Sequence, residues 1–289
     1  MTRPQPNETA PSRSTRNGVS IVAPGLRWLV VVAHPDDEVL GCGALLSRLE
    51  NVTVVHVTDG APRDGDDAHR QGFETPDAYA KARWREARAA LDLAGVPETR
   101  HHGFGVADQG AIYRLADVAR RLAPFVAQAD AVLTHAFEGG HPDHDAVAFA
   151  VHAAVRRASG PVRPVVEMPF YHAAPDGWVR QQFLPEQDAT SLPPSRARGE
   201  GDPAPVETQV LTLSVLDLGL KRRMAACHAT QGDTLASFDL AREVYRLAPA
   251  YDFARLPHEG DLLYERHGWN LDRGGWLAAV RAATAELDA

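Results

Sequence analysis

The sequence predicts an α/β fold built on a mainly parallel sheet, and three observations lead to that prediction. Apolar, β-branched runs alternate with amphipathic helical patterns through the first half of the 289-residue chain. The apolar runs are continuous, as expected for strands that are buried on both faces. Strands that alternate with helices favour parallel pairing through right-handed crossovers.

The first βαβ unit is the clearest. A strand is predicted over residues 26–33, which read LRWLVVVA, and a second over residues 52–60, which read VTVVHVTDG. Between them, Leu40, Leu45 and Leu49 recur at helical spacing, so this connection is predicted to be a helix.

The alternation continues along the chain. We predict a helix over 78–95, a short strand over 100–105, a helix over 112–127, a strand over 130–136, a helix over 142–158 and a fifth strand over 164–172. Nearer the C-terminus, we predict a strand over 206–214, a helix over 215–231 and a packing helix within 262–289.

Two segments depart from this rhythm. Residues 1–24 are polar and are predicted to be a disordered leader, with a contact in a homo-oligomer as the alternative. Residues 173–206 are rich in Pro and Gly and are predicted to form an insertion or lid. Residues 25–289 would then form one domain. The predicted class is a Rossmann-like three-layer α/β fold, with the insertion and C-terminal elements added.

Composition excludes several classes of protein. A net charge of -8 without a Lys/Arg-rich block argues against nucleic acid or an anionic membrane as partner. The two cysteines, Cys42 and Cys227, form no disulfide framework or CxxC pair. No apolar run is long enough to span a bilayer, and the N-terminus lacks the apolar core of a secretory signal, so we expect a cytoplasmic protein.

Two short motifs follow predicted strands. AHPDDE occupies residues 33–38, and HPDH occupies residues 141–144. Each places a histidine three residues before a second metal-ligating side chain. If each proline lies in the first turn of a helix, the residues at i and i+3 share one face. Because ligands of parallel sheets bind beyond the carboxyl ends of strands, the two motifs are expected to meet there.

The side chains in these motifs suit a catalytic metal. His34, Asp37 and His144 would supply two imidazoles and one carboxylate, which is a set typical of catalytic zinc sites. Asp36 would be a free carboxylate beside the ion, placed to deprotonate water. The alternative is that each motif is only a capped helix start or an Asp-rich turn. Two such motifs in one α/β domain favour the metal.

The segments AHPDDEVLGCGALL, TDG and GGHPDHDAV, in this order, resemble the LmbE-like or PIG-L-like de-N-acetylase family. The resemblance extends over residues 26–235. That family includes deacetylases of N-acetylglucosaminyl-phosphatidylinositol and of mycothiol and bacillithiol synthesis.

The resemblance implies a role for each motif residue. His34, Asp37 and His144 would hold Zn²⁺, with Fe²⁺ as the alternative in cells. Asp36 would be the general base. His141 would stabilise the oxyanion or protonate the leaving amine.

Other positions are implied with alternatives left open. Glu38 and Asp143 would orient a histidine or water, or act as helix caps. Arg83, Asp108 and His228 would contact the substrate, with Gln231 near the pocket. The alternatives are an ion pair between Arg83 and Glu86, and helix packing for His228 and Gln231. Six further histidines are assigned to packing or to the surface: His101, His102, His135, His152, His172 and His258.

One feature departs from the family pattern. Some members carry a tyrosine shortly before the HPDH motif as an oxyanion donor, whereas this chain reads FEGGH at residues 137–141. Glu138 is expected to line the site instead, and oxyanion stabilisation would then rest on zinc and His141 unless Tyr171 or a lid residue helps.

The predicted function is hydrolysis of an N-acetyl group on an N-acetylglucosamine-type sugar or conjugate. The alternatives are an amidase for a thiol–sugar conjugate and a metal-containing sugar-binding protein without catalysis. A nucleotide-binding protein is disfavoured because no GxGxxG follows the first strand, and a serine hydrolase because there is no GxSxG.

Overall fold

A computed structural model describes residues 22–23, 25–185, 207–269 and 271–289. Within these ranges the chain forms a seven-stranded sheet and a two-stranded hairpin. The strands are β1 (Arg27–Val32), β2 (Asn51–Thr58), β3 (His101–Val106), β4 (Ala131–His135), β5 (Val165–Met168), β6 (Tyr171–Ala174), β7 (Gly177–Arg180), β8 (Thr208–Thr212) and β9 (Arg242–Leu247).

The helices of the described residues connect and cover these strands. They are α1 (Asp37–Leu46), α2 (Asp66–Arg70), α3 (Pro76–Leu93), α4 (Leu115–Gln128), α5 (Pro142–Arg157), α6 (Val215–Cys227), α7 (Gly232–Leu235), α8 (Leu263–His267) and α9 (Arg273–Asp288). In the part of the chain that the structure describes, no helix combines the length and apolarity needed to cross a membrane.

The order of strands in the large sheet is β3-β2-β1-β4-β5-β9-β8. β1 pairs in parallel with β2 on one side and with β4 on the other. The strands that follow β1 are added first on one side of it, as β2 and β3, and then on the other side, beginning with β4. This reversal creates a topological switch point between β1 and β4. Crevices at such points are the usual ligand sites of open α/β sheets.

Two apolar cores cover the two faces of the sheet. Along β1, Leu29 and Val31 pack into one core with α4, α5 and α9, whereas Val30 and Val32 pack into the other with α1 and residues of α3 and α6. Successive strand residues point to opposite faces, so a strand buried on both sides reads as one apolar run. The predicted three-layer α/β class with a mainly parallel sheet is confirmed.

Helix α1 is interrupted at Cys42, whose φ of -146° and ψ of 22° are not helical. The interruption frees backbone groups that a continuous helix would pair. Glu243 accepts from the backbone N–H of Ala44 at 2.8 Å and of Leu45 at 3.1 Å. The Lys221 ammonium donates to the Leu40 carbonyl at 2.8 Å and to Glu243 at 3.0 Å. This buried ion pair therefore joins both halves of α1 to α6 and β9.

The predicted fifth strand over 164–172 is wrong in its extent. β5 ends at Met168, and the chain turns before β6 begins. The Glu138 carboxylate accepts from the backbone N–H of Phe170 at 2.8 Å and of Tyr171 at 2.9 Å. These bonds draw the backbone away from the sheet ladder, and Pro169 has no N–H to extend it.

The segment predicted as an insertion over 173–206 is partly regular. Its first residues complete the β6–β7 hairpin, in which Tyr171 pairs with Arg180. Residues 186–206 lie outside the described residues, as does the predicted leader except for Val22 and Ala23. The insertion and the single domain over 25–289 stay predictions.

Strand β9 was not predicted from the sequence. It runs antiparallel between β5 and β8. Its Glu243 and Arg246 interrupt the apolar pattern expected of a buried strand. Both can be buried because each is paired with a charged side chain on another element. Only the folded structure reveals those partners.

Candidate active site

Polar side chains gather beyond the carboxyl ends of β1, β3 and β4, at the switch point of the sheet. His34 follows β1, Asp108 follows β3, and His141 and His144 follow β4. All four are buried or nearly so. The structure thus brings the two histidine motifs together, as expected from their positions after parallel strands.

The two motifs achieve this by different local structures. In the second motif, Pro142 is the first residue of α5, and His141 is the N-cap whose ring accepts from the Asp143 N–H at 3.2 Å. In the first motif the expected position of the proline is wrong, because Pro35 precedes the helix, which begins at Asp37. There a turn, and not one face of a helix, brings His34 next to Asp37. The His34 N–H donates to the Asp37 carboxylate at 2.7 Å.

Donor atoms of three residues, including both carboxylate oxygens of Asp37, form a compact cluster. His34 Nδ1 lies 3.3 Å from Asp37 Oδ2 and 3.3 Å from His144 Nε2, and His144 Nε2 lies 3.4 Å from Asp37 Oδ1. Zinc–ligand distances of about 2.0–2.1 Å in a tetrahedron place neighbouring donors about 3.3–3.4 Å apart. The donor types and their spacing therefore fit a tetrahedral divalent cation with one position left for another ligand.

The electrostatics of the pocket also favour a cation. Burial disfavours a charged imidazole, yet Asp108, Asp143 and Asp37 together raise the pKa of His34 well above its usual range. Burial alone would raise the pKa of Asp37, but His144 and His135 hold this pKa well below its usual range. Carboxylates that remain ionised in a buried pocket attract positive charge.

The second nitrogen of His34 faces two carboxylates. Nε2 lies 3.4 Å from Asp143 Oδ2 and 3.4 Å from Asp108 Oδ1. Asp143 is itself fixed, because it accepts from the backbone N–H of Gln109 at 2.6 Å and of Ala111 at 2.9 Å. A carboxylate behind a ligating histidine orients the ring and fixes its tautomer. Asp143 is in position for the orienting role predicted for it.

A second group of donors shares His34 and consists of His34, Asp108, His141 and Asp143. Hydrogen bonds within this group join Asp143 to the two rings, because its Oδ2 lies 3.4 Å from His34 Nε2 and its N–H donates to His141 Nδ1 at 3.2 Å. Since His141 Nδ1 accepts a backbone N–H, its neutral ring carries the proton on Nε2, which lies 3.7 Å from Asp108. The Nε2–H groups of His34 and His141 then both point toward carboxylates.

Asp36 stands outside both groups and has an unusual environment. Its φ of 146° lies in a region that residues with a side chain rarely adopt. Burial raises the pKa of Asp36 to about 7, opposed by the Arg83 guanidinium and reinforced by Asp37. A carboxyl group with a pKa near neutrality is suited to general base catalysis.

Arg83 holds Asp36 in this position. Its Nη2 donates to Asp36 Oδ2 at 2.9 Å and to the Pro35 carbonyl at 3.0 Å, and its other amino group donates to the Gly60 carbonyl. The alternative ion pair with Glu86 is wrong, because Glu86 instead accepts from the Thr230 backbone N–H at 3.1 Å and hydroxyl at 2.6 Å. Direct contact of the buried Arg83 with substrate stays a prediction.

Glu38 and His228 lie behind the site. Glu38 accepts from the Asp36 N–H at 3.0 Å and pairs with His56 at 2.7 Å, which supports the strained Asp36 backbone. His228 is fully enclosed, with Nε2 lying 3.8 Å from Glu38. Its nearest charged partner is thus Glu38, and its predicted substrate contact is untested. Gln231, also expected near the pocket, donates to the Tyr79 hydroxyl at 2.5 Å.

Glu138 does not take the place of the absent tyrosine. Its carboxylate is buried and binds the backbone of Phe170 and Tyr171. Tyr171 does lie beside the cluster, with its ring 5.4 Å from that of His144. Gly140 permits this approach, because a Cβ there would lie 2.0 Å from the Tyr171 carbonyl oxygen.

Two residues near the site were missed from the sequence. His135, assigned to packing, stacks on His144 at 4.1 Å, and its Nε2 lies 3.4 Å from Asp37. Its position at the end of β4 was the available signal. Trp269 comes from the C-terminal segment and lies 4.7 Å from His141. No local pattern in the sequence could have placed it there.

Comparison with known proteins agrees with this geometry. Residues 29–155 match the family described as PIG-L: GlcNAc-PI de-N-acetylase. The matched segment is a PIG-L (LmbE-like) family domain. The predicted family is confirmed, and with it, at the level of the family, the class of hydrolases that remove N-acetyl groups.

Two relatives are similar to this chain in sequence. A Corynebacterium diphtheriae 1D-myo-inositol 2-acetamido-2-deoxy-alpha-D-glucopyranoside deacetylase is 28% identical over 72% of this chain and 76% of the relative. A probable N-acetyl-alpha-D-glucosaminyl L-malate deacetylase 2 from Bacillus cereus is 26% identical over 56% of this chain and 74% of the relative.

Solved structures support the fold. A deacetylase of teicoplanin biosynthesis is 18% identical, with a TM-score of 0.56, over 78% of this chain and 99% of that chain. The A40926 pseudoaglycone deacetylase Dbv21 is 20% identical with the same TM-score of 0.56, over 78% and 98%. At these identities the likeness concerns the fold of the PIG-L domain alone.

Proposed function

We propose that this protein is a metal-dependent hydrolase that removes the acetyl group from an N-acetylglucosamine-type sugar or sugar conjugate. The observation that carries the proposal is the cluster of His34, Asp37 and His144, with Asp36 held beside it. The named activities of the two sequence relatives support the same substrate class. Enzymes of the PIG-L family use a divalent metal, and we propose zinc, with Fe²⁺ as the alternative in cells.

The residues that hold the metal would be His34, Asp37 and His144. A divalent cation bound there would act as a Lewis acid toward the amide carbonyl. Two buried imidazoles and one carboxylate are the donor set of many catalytic zinc sites, and they leave room for substrate.

Asp36 would act as the general base. Arg83 fixes one of its carboxylate oxygens, so the other can accept a proton from the attacking water. With a pKa of about 7, Asp36 is ionised in a large fraction of molecules near neutral pH and still accepts a proton readily.

His141 would act on the opposite side of the amide. Burial and the neighbouring His34 hold the pKa of His141 well below its usual range, so the ring is neutral. Because Nδ1 accepts from the backbone, the Nε2–H is the group available to donate. A neutral N–H donor favours stabilisation of the developing oxyanion. The proton that Asp36 accepts from the water would then be available to the leaving amine. Amide hydrolysis requires a proton donor because an amine is a poor leaving group.

The two cysteines support a reducing compartment. Cys42 and Cys227 are both free thiols, and Cys42 is buried. Free thiols are usual in cytosolic proteins. We therefore propose a cytoplasmic enzyme.

The test is release of acetate from a panel of N-acetylglucosamine glycosides and conjugates by zinc-loaded protein. We expect turnover with at least one conjugate and appearance of one primary amine for each acetate. Asp36→Ala should keep its zinc and lose about 10²- to 10⁴-fold in turnover. The exposed Asp233 on α7 provides the matched control, and Asp233→Ala should retain wild-type turnover.

Two results would contradict this proposal. Full turnover by Asp36→Ala would remove Asp36 as the base. Absence of acetate release across the panel, with zinc and sugar still bound, would favour a sugar-binding protein without catalysis.

A further inference from the structure

An open cavity of about 400 Å³ lies beside the candidate active site, at the carboxyl end of β3. It lies between this strand, the loop after β2 and the start of α4. The side chains that define it are Arg63, Phe104, Tyr113, Arg114 and Arg121. We call this cavity the arginine groove. None of its residues has a role in the proposed hydrolysis.

The arginine groove carries excess positive charge in an acidic protein. The chain has a net charge of -8, yet three guanidinium groups line this one cavity. Arg63 is paired with Asp59. Arg114 and Arg121 share a single carboxylate oxygen of Asp117, at 3.8 and 3.9 Å, which is beyond hydrogen-bond distance. Their charges are therefore only partly compensated.

Arg121 is held in place before any ligand binds. Its guanidinium stacks on the Phe104 ring at 4.0 Å and donates to the Phe104 carbonyl at 2.9 Å. The Arg114 side chain is 60% exposed on the other side of the groove. One fixed and one exposed guanidinium can both reach an anion, and the fixed group loses little entropy when it binds.

A single turn connects the groove to the active site. The Gly110 N–H donates to the Ala107 carbonyl at 2.9 Å, and both residues line the groove. Asp108, between them, points its carboxylate toward His34 and His141, at 3.4 and 3.7 Å. Asp143 fixes the turn by accepting from the Gln109 and Ala111 N–H groups. A ligand that reaches Asp108 therefore lies one turn of the chain away from the lining of the groove.

We propose that the arginine groove binds an anionic group, a carboxylate or phosphate, on the aglycone of the N-acetylated sugar conjugate. This inference rests on the proposed function and specifies its substrate class. Guanidinium groups pair with both anions through two parallel hydrogen bonds. The rings of Phe104 and Tyr113 offer apolar surface to the carbon atoms next to that anion. The groove would thus select conjugates with a charged aglycone over neutral glycosides.

The test compares three substrates that share the sugar and differ in the aglycone: methyl N-acetylglucosaminide, N-acetylglucosaminyl malate and N-acetylglucosamine 1-phosphate. Wild-type enzyme should show a higher kcat/KM for at least one anionic substrate than for the methyl glycoside. In Arg114→Gln/Arg121→Gln, the ratio of anionic to neutral kcat/KM should fall about tenfold, mainly through KM. The anion that shows the larger fall identifies carboxylate or phosphate as the preferred group.

Four controls keep the result specific. Arg114→Lys/Arg121→Lys should restore much of the preference, because the charge remains. Arg281→Gln on the exposed side of α9 should leave the ratio unchanged. Raising the salt concentration should reduce the preference of the wild type and not that of the double glutamine variant. Arg114→Gln alone, at an exposed side chain, should fold normally and show part of the effect.

The inference is contradicted if the double glutamine variant loses kcat/KM equally for neutral and anionic substrates, or if wild type shows no anionic preference. Failure of the proposed function gives a different result, namely no acetate from any substrate. Binding then decides, by calorimetric titration of N-acetylglucosaminyl malate and of N-acetylglucosamine 1-phosphate into Asp36→Ala with and without the two glutamine substitutions. At least one anion should bind about tenfold more weakly to the triple variant; equal affinity for both would overturn the inference.

Discussion

Two clusters of buried charge lie along the same short helix, and they differ in how their charges are compensated. At the break in α1, Lys221 and Glu243 satisfy each other and the freed backbone groups. At the start of α1, His34, Asp36 and Asp37 lie together with other acidic side chains. There, among the described residues, Glu38 Oε1, Asp108 Oδ1 and His144 Nδ1 have no hydrogen-bond partner.

The difference separates a structural role from a functional one. Burying a charge costs several kcal/mol unless partners compensate it. The Lys221–Glu243 cluster is compensated within the fold, so it can serve to hold α1 in place. The cluster at His34 and Asp37 is compensated only in part, so it has the capacity to gain free energy when a cation and a polar substrate bind.

The largest effect is expected at the structural cluster. Lys221→Met leaves Glu243 buried without its cation and should lower the free energy of unfolding by about 3–5 kcal/mol. Urea denaturation followed by circular dichroism measures this change. In the double variant Lys221→Met/Glu243→Gln, the amide can still accept from the Ala44 backbone, so much of the loss should be recovered. If Lys221→Met is as stable as wild type, this cluster does not hold α1.

The position of the candidate site could be predicted from the sequence, whereas several of its partners could not. The two histidine motifs are local, and each follows a strand whose apolar run is easily recognised, so their meeting could be predicted. The partners of Asp36 and Glu138 could not, because Arg83 and the Phe170 backbone reach them through tertiary packing. Strand β9 was missed for the same reason, since its buried Glu243 is stabilised by the distant Lys221.

An ionisable group that is only partly buried can instead lose its charge, and His152 is an example. Its ring packs against Tyr251 and Phe253, and its Nε2 has no hydrogen-bond partner among the described residues. Burial, with a smaller effect of Arg156, lowers the pKa of His152 to about 4 from 6.5. The folded state therefore binds fewer protons than the unfolded state between these two values.

This shift predicts a smaller, pH-dependent effect. The stability contributed by neutral His152 is fully present above pH 6.5 and is lost as the pH falls toward 4. Between pH 7 and pH 5, wild type should lose about 1–2 kcal/mol more of its unfolding free energy than His152→Phe, measured by urea denaturation at each pH. Equal losses in the two proteins would show that folding leaves the pKa of His152 unchanged.

The central claim is that His34, Asp37 and His144 hold one metal ion, and the most direct measurement is the metal content of purified variants. Mass spectrometry after zinc loading and dialysis should find about one zinc per chain in wild type, His141→Ala and the distant control His152→Phe. His144→Ala should retain far less, while circular dichroism shows that it is folded. Loss of zinc from His141→Ala with full zinc in His144→Ala would contradict the claim and place the metal among Asp108, His141 and Asp143 instead.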